Sequence, residues 1–362
     1  MRSLAACALS ILLCLPALAA DYGRVATHKV AEGVYLFTTS PYADVGFCGN
    51  SAAIIAEDGV LVFDSSATPE TAQTILSEIR RLTDKPVRYL VNSHWHWDHW
   101  GGNQIFLASF PGLQIVTHDK NREMMVNIEP RWNEKGLKQD LPNFIAGFEK
   151  QVTAAKANHV PEERIQRAEE RLAVDRNFLR QKQSLSKTYP NVTFSDTLTV
   201  QMGSREIQVM HARAITPGDT YVYLPKEKIL ITGDILLNPY PYAIGGSYPA
   251  EWLAALNRLA GLQPAVIIPG HGDAVNSSGL LDNNIALFQE VLRQVKDGKA
   301  RGMTLEQVAE ALGKQKVELA AKVGISSGDG ADAFKAYFLD VFVKRAYREL
   351  ERPLGDLPDG LQ

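Results

Sequence analysis

The sequence has little cysteine and only one long apolar run, and these two absences restrict its fold and its partners. Two of the three cysteines, Cys7 and Cys14, lie within the first twenty residues. The rest of the chain retains only Cys48, so it can form no internal disulfide and must be stabilised by an apolar core. A hydrophobic content of 45% in 362 residues supplies such a core, in one large α/β domain or two smaller ones.

The sequence also lacks a large excess of charge of one sign, because its formal net charge is only -3. A mixed surface of this kind offers no basic field to attract nucleic acid. No second apolar run indicates membrane insertion. We therefore expect a small-molecule substrate, no nucleic-acid partner and no stable membrane anchor, while the sequence leaves the oligomeric state open.

The first twenty residues have the layout of a cleavable secretory signal peptide. Arg2 precedes the apolar run Leu9 to Leu15, and small residues, Ala17 to Ala20, precede Asp21. A membrane anchor is the alternative, but the run is shorter than the roughly 20 residues that a bilayer requires. We therefore expect export, to the periplasm or as a secreted protein.

Short β-branched runs separated by turn residues predict strands in the first part of the mature chain. The predicted strands are Val34 to Thr38, Ser51 to Ala56, Val60 to Phe63 and Val87 to Val91, with a helix beginning at Pro69 after the capping residue Thr68. This order predicts an antiparallel start followed by a strand-helix-strand unit. The last strand ends at a histidine-rich loop, where open α/β sheets place their chemistry.

The second half is expected to contain another group of strands. Residues 120 to 188 are rich in charged residues at helical spacing, which predicts an insertion of two or three helices with a solvated face. Further strands are predicted at Val192 to Val200, Ile207 to Met210, Tyr221 to Leu224, Ile229 to Thr232 and Ala265 to Ile268. Without a linker, the simplest division is a signal peptide at 1–20, one domain at 21–279 and a helical region at 280–362.

Three imidazoles and a carboxylate are concentrated in six residues, His94-Trp95-His96-Trp97-Asp98-His99. Neutral imidazole and carboxylate are ligands that zinc and related divalent ions accept. Because alternate residues of an extended loop point the same way, His94 and His96 can bind one ion while Asp98 and His99 turn toward a second. A chance cluster is the alternative, but half of the 8 histidines lie in this motif or in a second one at His271.

The chain resembles the metallo-β-lactamase superfamily in four motifs that follow the family's order. They are His94 to His99, Thr216 to Thr220, Thr232-Gly233-Asp234 and Pro269-Gly270-His271-Gly272. The resemblance implies a four-layer αββα sandwich, and the layout is most similar to the exported quinoprotein-relay-type zinc metallohydrolases. It further implies that Asp98, His99 and His271 bind one metal ion, with Asp234 bridging to another.

One metal-ligand position of the family's pattern is not occupied by a ligand residue in this sequence. The second ion would take His94, His96 and a third histidine directly before Thr216, where this sequence has Ile215, whose side chain offers no lone pair. His211 lies about 13 Å away along an extended segment, too far to substitute. We therefore expect one well-held zinc ion and a second that is weak or absent, and we predict that His28, His118 and His159 are not ligands.

These residues predict an exported metal-dependent hydrolase that uses a zinc-activated water on an ester, thioester, lactone or lactam-like molecule. Asp98 and Asp234 are the predicted catalytic residues that orient the nucleophile. The alternative is a catalytically impaired metal-binding accessory protein on the same scaffold, which Ile215 favours. An iron-dependent oxidation enzyme depends on the same incomplete position and is disfavoured. Whether the nearby aromatics, Tyr240 and Tyr242 among them, line a pocket or only bury apolar area is left open.

Overall fold

The structure, a computed structural model, describes residues 24–39, 48–158, 160–243 and 246–359. The predicted signal peptide and His159 lie outside the described residues. The side chains at positions 132 and 133 are likewise not described.

The first sheet has seven strands in sequence order, and it combines an antiparallel half with a parallel half. Its strands are β1 (Val25–Ala31), β2 (Val34–Thr39), β3 (Ser51–Ile55), β4 (Val60–Phe63), β5 (Val87–Val91), β6 (Gln114–His118) and β7 (Val192–Phe194). Pairing is antiparallel from β1 to β4 and parallel from β4 to β7. This confirms the predicted antiparallel start and the strand-helix-strand unit that follows it.

The second sheet has five strands in the order β12-β11-β10-β9-β8. Its strands are β8 (Thr197–Met202), β9 (Arg205–Ala212), β10 (Asp219–Leu224), β11 (Ile229–Ile231) and β12 (Val266–Ile268). The pair β11 and β12 is parallel, and the other pairs are antiparallel. Both sheets therefore contain neighbouring parallel strands whose carboxyl ends share one edge.

Helices cover the outer faces of both sheets. They are α1 (Pro69–Leu82), α2 (Trp97–Trp100), α3 (Asn103–Ser109), α4 (Asp119–Asn127), α5 (Glu129–Lys135), α6 (Leu141–Ala157), α7 (Glu162–Gln183), α8 (Pro249–Gly261), α9 (Gly279–Ala300), α10 (Leu305–Gly313), α11 (Lys316–Ala321), α12 (Gly328–Phe334) and α13 (Asp340–Glu349). Among these described helices, none has both the length and the apolar composition needed to cross a bilayer.

Three apolar clusters separate the layers. Side chains from both sheets, such as Ile54 and Val222, form the central cluster between them. Helices α1 and α3 pack on the outside of the first sheet through residues such as Ile75 and Phe106. Trp252 of α8 packs with the C-terminal helices on the outside of the second sheet. The predicted αββα sandwich is confirmed, and so is the helical C-terminal region.

One predicted element differs from the structure. The predicted strand Val192 to Val200 is divided, because β7 pairs with β6 in the first sheet while β8 pairs with β9 in the second. The chain thus changes sheets between Phe194 and Thr197, a step that a continuous β-branched run does not reveal.

The insertion is helical, as predicted. Helix α4 is followed by α5 and α6, which a π-helical turn at Gly136–Asp140 joins into one continuous helix, and then by α7. The insertion thus has three helical segments, in agreement with the two or three predicted.

The segment after α13 is fixed to the rest of the fold by ion pairs. The fully buried guanidinium of Arg345 donates from Nε to the Ser247 carbonyl at 2.7 Å and lies 3.1 Å from Asp359. Asp356 pairs with Arg213 at 2.8 Å, and Arg213 in turn stacks on Tyr248 at 3.9 Å. The buried pair is expected to matter more for stability, because an uncompensated buried charge is costly.

We predict that Asp359→Asn lowers the free energy of unfolding by about 2 kcal/mol, because it leaves the buried Arg345 charge without a carboxylate. The matched variant Asp356→Asn removes a carboxylate whose partners are more exposed, and we expect a loss below about 1 kcal/mol. Urea unfolding of the wild type and both variants measures the difference. Equal losses in the two variants would contradict this assignment.

Candidate metal centre

The candidate site lies where the carboxyl ends of parallel strands from both sheets meet. Asp64 follows β4, the histidine motif follows β5, Asp234 follows β11, and His271 follows β12. Backbone hydrogen bonds join the sheets at this edge: Thr220 N–H donates to the Ser93 carbonyl at 2.7 Å, and another links the segment before β3 to the β12 loop at 2.7 Å. The sheet topology therefore brings four segments that are distant in sequence together in one cluster.

Four side chains of this cluster converge on a common point. The Nε2 atom of His99 lies 3.4 Å from Asp98 Oδ2 and 3.2 Å from Asp234 Oδ1. The Nε2 atom of His271 lies 3.3 Å from Asp98 Oδ2 and 3.4 Å from Asp234 Oδ1. A Cβ atom at Gly270 would lie 2.2 Å from Asp234 Oδ1, so glycine is needed for the carboxylate to reach this point.

These distances fit the ligand atoms around a metal ion. With metal–ligand distances of about 2.0–2.1 Å, ligand atoms at adjacent positions around an ion are about 3 Å apart, and the four separations above are close to this value. Asp98, His99 and His271 offer ligand atoms that all lie within 4.8 Å of one another, and so do His94, His99 and Asp234. His99 Nε2 and Asp234 Oδ1 are moreover buried without a hydrogen-bond partner among the described residues. Buried polar atoms normally have partners. A divalent cation at the common point would satisfy both.

Asp64 is a functional residue that the sequence analysis missed. Its Oδ2 atom lies 2.8 Å from His99 Nδ1, and its Oδ1 atom accepts a hydrogen bond from Ser93 N–H at 2.7 Å. This carboxylate holds the His99 ring with Nε2 directed at the common point, as carboxylate partners of metal-binding histidines do. The available signal was an aspartate directly after the buried strand β4.

The electrostatics of the four converging side chains are balanced. Burial alone would lower the pKa of His99 and His271, but Asp234 and its neighbouring carboxylates raise the pKa of His271 to about 9 and that of His99 well above its ordinary value. Burial would raise the pKa of both aspartates, but the two imidazoles hold them below the ordinary range. Two positive charges thus match two carboxylates, and a divalent ion would supply the same charge while releasing protons.

His94 and His96 form a neighbouring position that is less complete. The Nε2 atom of His94 lies 2.8 Å from His96 Nδ1 and 3.7 Å from Asp234 Oδ2. Burial lowers the pKa of His96 to about 4 and that of His94 well below its ordinary value, so both rings are neutral. The second carboxylate oxygen of Asp234 therefore faces this position, while its first faces the common point. That arrangement suits a bridging ligand.

Ile215 contributes no polar atom to this neighbouring position. Its side chain is fully buried in the apolar cluster outside the second sheet, together with Ile235. The carboxylate of Asp219 fixes the loop by accepting hydrogen bonds from the backbone N–H groups of Ala214 and Thr216, at 3.1 and 2.8 Å. The loop that carries Ile215 is thus well packed, and the incomplete metal position is a fixed feature of the fold.

The other histidines that the structure describes have other partners. His211 Nδ1 lies 3.2 Å from the Asp219 carbonyl, and its ring stacks on His118 with centroids 3.8 Å apart. His118 accepts a hydrogen bond from Lys120 N–H and caps α4. His28 contacts the Thr38 hydroxyl at an exposed position. The structure therefore brings none of these three to the common point.

The tryptophans within and directly after the histidine motif, Trp95, Trp97 and Trp100, serve as packing. Trp95 and Trp100 are buried in a cluster with Met124 and Met125, against which Leu357 of the C-terminal segment also packs. Trp97 contacts the insertion: its ring lies 5.4 Å from Phe178 and 4.4 Å from the Lys182 ammonium. Burial lowers the pKa of Lys182 to about 8. The insertion thus supports the metal loop from one side.

We predict that Asp64→Asn lowers zinc affinity about 10- to 100-fold, because an amide does not fix the His99 ring as a carboxylate does. Asparagine tolerates the positive φ of 57° at this position, so the fold should be retained. Competition with a chromophoric chelator measures the affinity. The matched control is Asp58→Asn, which removes an exposed carboxylate paired with Arg88. Unchanged affinity in Asp64→Asn would refute the positioning role.

Comparisons with known proteins place these motifs in a family. The family model described as the metallo-beta-lactamase superfamily matches residues 45–271, more than half of the chain. Among curated proteins, the chain is 22% identical over 268 residues to a linear primary-alkylsulfatase from Pseudomonas sp. (strain ATCC 19151). That match covers 71% of this chain and 48% of the relative, so the chain spans about half of the relative's length.

Solved structures agree on the fold. A metallo-beta-lactamase from Pontibacter korlensis superposes with a TM-score of 0.50 at 19% identity, covering 74% of this chain and 99% of that one. The DIM-1 metallo-beta-lactamase exposed to ceftazidime gives a TM-score of 0.50 at 17% identity, covering 74% and 97%. At these identities the structural likeness supports the fold alone. With the family match over residues 45–271, it follows that the chain belongs to the metallo-beta-lactamase superfamily.

Proposed function

We propose that the protein is an exported metal-dependent hydrolase that acts on an ester, thioester, lactone or lactam-like small molecule. The observation that carries the proposal is the convergence of Asp98, His99, Asp234 and His271, whose ligand atoms lie 3.2–3.4 Å from one another around one buried point in the four pairs between an imidazole and a carboxylate. Membership in a superfamily of metallohydrolases supports the same reaction class. Zinc fits this set of imidazole and carboxylate donors.

The chain's own residues have separate tasks in this reaction. A bound zinc ion lowers the pKa of its water toward neutrality and stabilises negative charge that develops on the substrate. Asp98 and Asp234 orient the attacking water, because their carboxylates border the common point and accept hydrogen bonds. Asp64 holds His99 in place. Burial of the cluster excludes bulk water, which strengthens each of these interactions.

The relative named as an alkylsulfatase adds one substrate class to those listed above. Hydrolysis of a sulfate ester, like that of a carboxylic ester, places developing negative charge on oxygen atoms beside the metal. The match extends over 268 residues at 22% identity, and it supports sulfate esters as one candidate substrate class. Sulfate esters therefore belong in the test panel.

A specific observation favours a second candidate, a metal-binding accessory protein without hydrolytic activity. Ile215 stands where the family pattern has a histidine, and His94 and His96 lie at hydrogen-bonding distance from each other. The two rings can therefore satisfy one another without an ion. If hydrolysis requires two metal ions, a protein with this position incomplete would bind one ion and remain inactive.

We predict that purified protein retains one tightly bound zinc ion, with weak or no occupancy of the second position. Metal analysis after dialysis against a mild chelator measures the stoichiometry. The same preparation, tested on thioester, lactone, β-lactam, phosphodiester and sulfate ester substrates, should hydrolyse at least one class and lose that activity when the zinc is removed. Two tightly held equivalents would contradict the proposed role of Ile215.

The variant Ile215→His separates the two candidate functions. It offers an imidazole at the incomplete position, and Ile215→Gln is the matched control that buries a polar group without one. If wild type and both variants hydrolyse a substrate, the enzyme proposal holds. If only Ile215→His is active, the accessory proposal is correct, and the hydrolase proposal fails for the natural sequence.

Export is a separate part of the proposal, and it rests on residues 1–20, which lie outside the described residues. We expect the protein isolated from a bacterial host to begin at Asp21 and to appear in the periplasmic or secreted fraction. Intact-mass measurement determines the first residue. A cytoplasmic protein that retains residues 1–20 would refute export without affecting the hydrolase proposal.

A further inference from the structure

A cavity of about 450 Å³ opens beside the candidate metal centre. Its lining includes His271, the strand residues Ala26 and Thr38, and the aromatic residues Tyr240 and Tyr242. The volume falls within the range of 300–1,000 Å³ that is typical of small-molecule sites. A molecule bound in it would lie against a proposed metal ligand.

The metal centre is accessible from the side of this cavity. The side chains of His271 and Asp98 are each 13% exposed, whereas those of His94 and His99 are fully buried. A substrate that occupies the cavity would therefore reach the common point past His271. Its reacting bond would lie at that end, and its remaining part would occupy the cavity.

Two stacked tyrosines form one wall of the cavity. The rings of Tyr240 and Tyr242 have centroids 5.3 Å apart with planes inclined at 28°, and their hydroxyls lie 3.3 Å apart. Behind them, Tyr240 packs against Phe334 of α12 at 6.1 Å, and Tyr242 packs against Tyr337 at 5.5 Å. The C-terminal helices thus hold the aromatic wall in position before any ligand binds.

The walls favour an uncharged ligand. Among the described lining residues, Arg24 and Asp273 carry opposite formal charges and are both exposed, and His271 lies at the metal end. Burial raises the pKa of the Cys48 thiol to about 11, and it also raises the pKa of the Tyr242 phenol. Both groups are therefore neutral, and a charged ligand group placed beside them, away from Arg24 and Asp273, would lose hydration without gaining a charged partner.

We propose that this cavity binds an uncharged aromatic group of the substrate, placing the hydrolysable bond beside His271. The inference rests on the proposed hydrolase function and specifies its substrate class as aryl-bearing molecules. An aromatic ring gains stacking interactions with a tyrosine face that a saturated ring of similar size lacks. We expect this gain to be roughly three- to tenfold in affinity.

The test compares two probes that share a carbon skeleton, 2-naphthol and its saturated analogue decahydro-2-naphthol. Calorimetric titration of the full chain, with zinc and after zinc removal, measures their affinities. We expect 2-naphthol to bind roughly three- to tenfold more tightly than its saturated analogue. It should also bind the zinc-free protein, because protein side chains alone form the cavity. Equal affinities, or no binding of 2-naphthol, would overturn the proposal.

Variants identify where the probe binds. Tyr240→Leu should abolish the preference for 2-naphthol, and Tyr240→Phe should retain it because the ring remains. Phe144→Leu is the matched control, since Phe144 is a 40% exposed aromatic residue of the insertion outside the cavity lining, and it should change nothing. An unchanged preference in Tyr240→Leu would overturn the assignment to this cavity.

A second variant covers the case in which Tyr240→Leu does not fold. Ala26 lies at an exposed strand position that lines the cavity, so Ala26→Glu should fold normally, place a carboxylate in the cavity and weaken both probes at least tenfold. Unweakened binding would refute the location. Probe binding without hydrolysis of any substrate would refute only the proposed function, and hydrolysis without probe binding would refute only the aromatic specificity.

Discussion

The central constraint on this structure is the burial of two carboxylates, Asp98 and Asp234, beside the same pair of imidazoles. Two buried negative charges that share the same neighbours repel strongly in a dehydrated environment. The arrangement therefore requires compensating positive charge. The fold supplies part of it through His99 and His271, and it anchors His99 from behind with Asp64. The strand edges, the glycine at position 270 and the two inter-sheet hydrogen bonds all serve to bring these groups together.

Much of the fold could be predicted from the sequence because local patterns determine it. The apolar runs of β4 and β5 and the Thr68 cap of α1 gave boundaries that the structure reproduces. The division of Val192 to Val200 between two sheets could not be predicted, since it depends on partners distant in sequence.

At the candidate site, too, some residues could be identified from local sequence and others only from the folded structure. The motif His94 to His99 and the residues Asp234 and His271 were identified because they form short, chemically distinctive patterns, and the structure brings four of them together. Asp64 was missed because a single aspartate after a strand is common, and its role appears only when His99 lies 2.8 Å away. The sequence also could not show which aromatic residues line a pocket and which only bury apolar area. In the structure, Trp95 and Trp100 are packed in a core cluster, whereas Tyr240 and Tyr242 line the cavity.

The packing of Leu357 against the cluster that contains Trp95 and Trp100 has a consequence for the order of assembly. Leu357 is distant in sequence from the histidine motif, so the motif's loop acquires this support only when the C-terminal segment has packed against it. Contacts between such distant positions form slowly, because a long loop must close first. The loop that carries the metal motif is therefore expected to gain its final support late in folding.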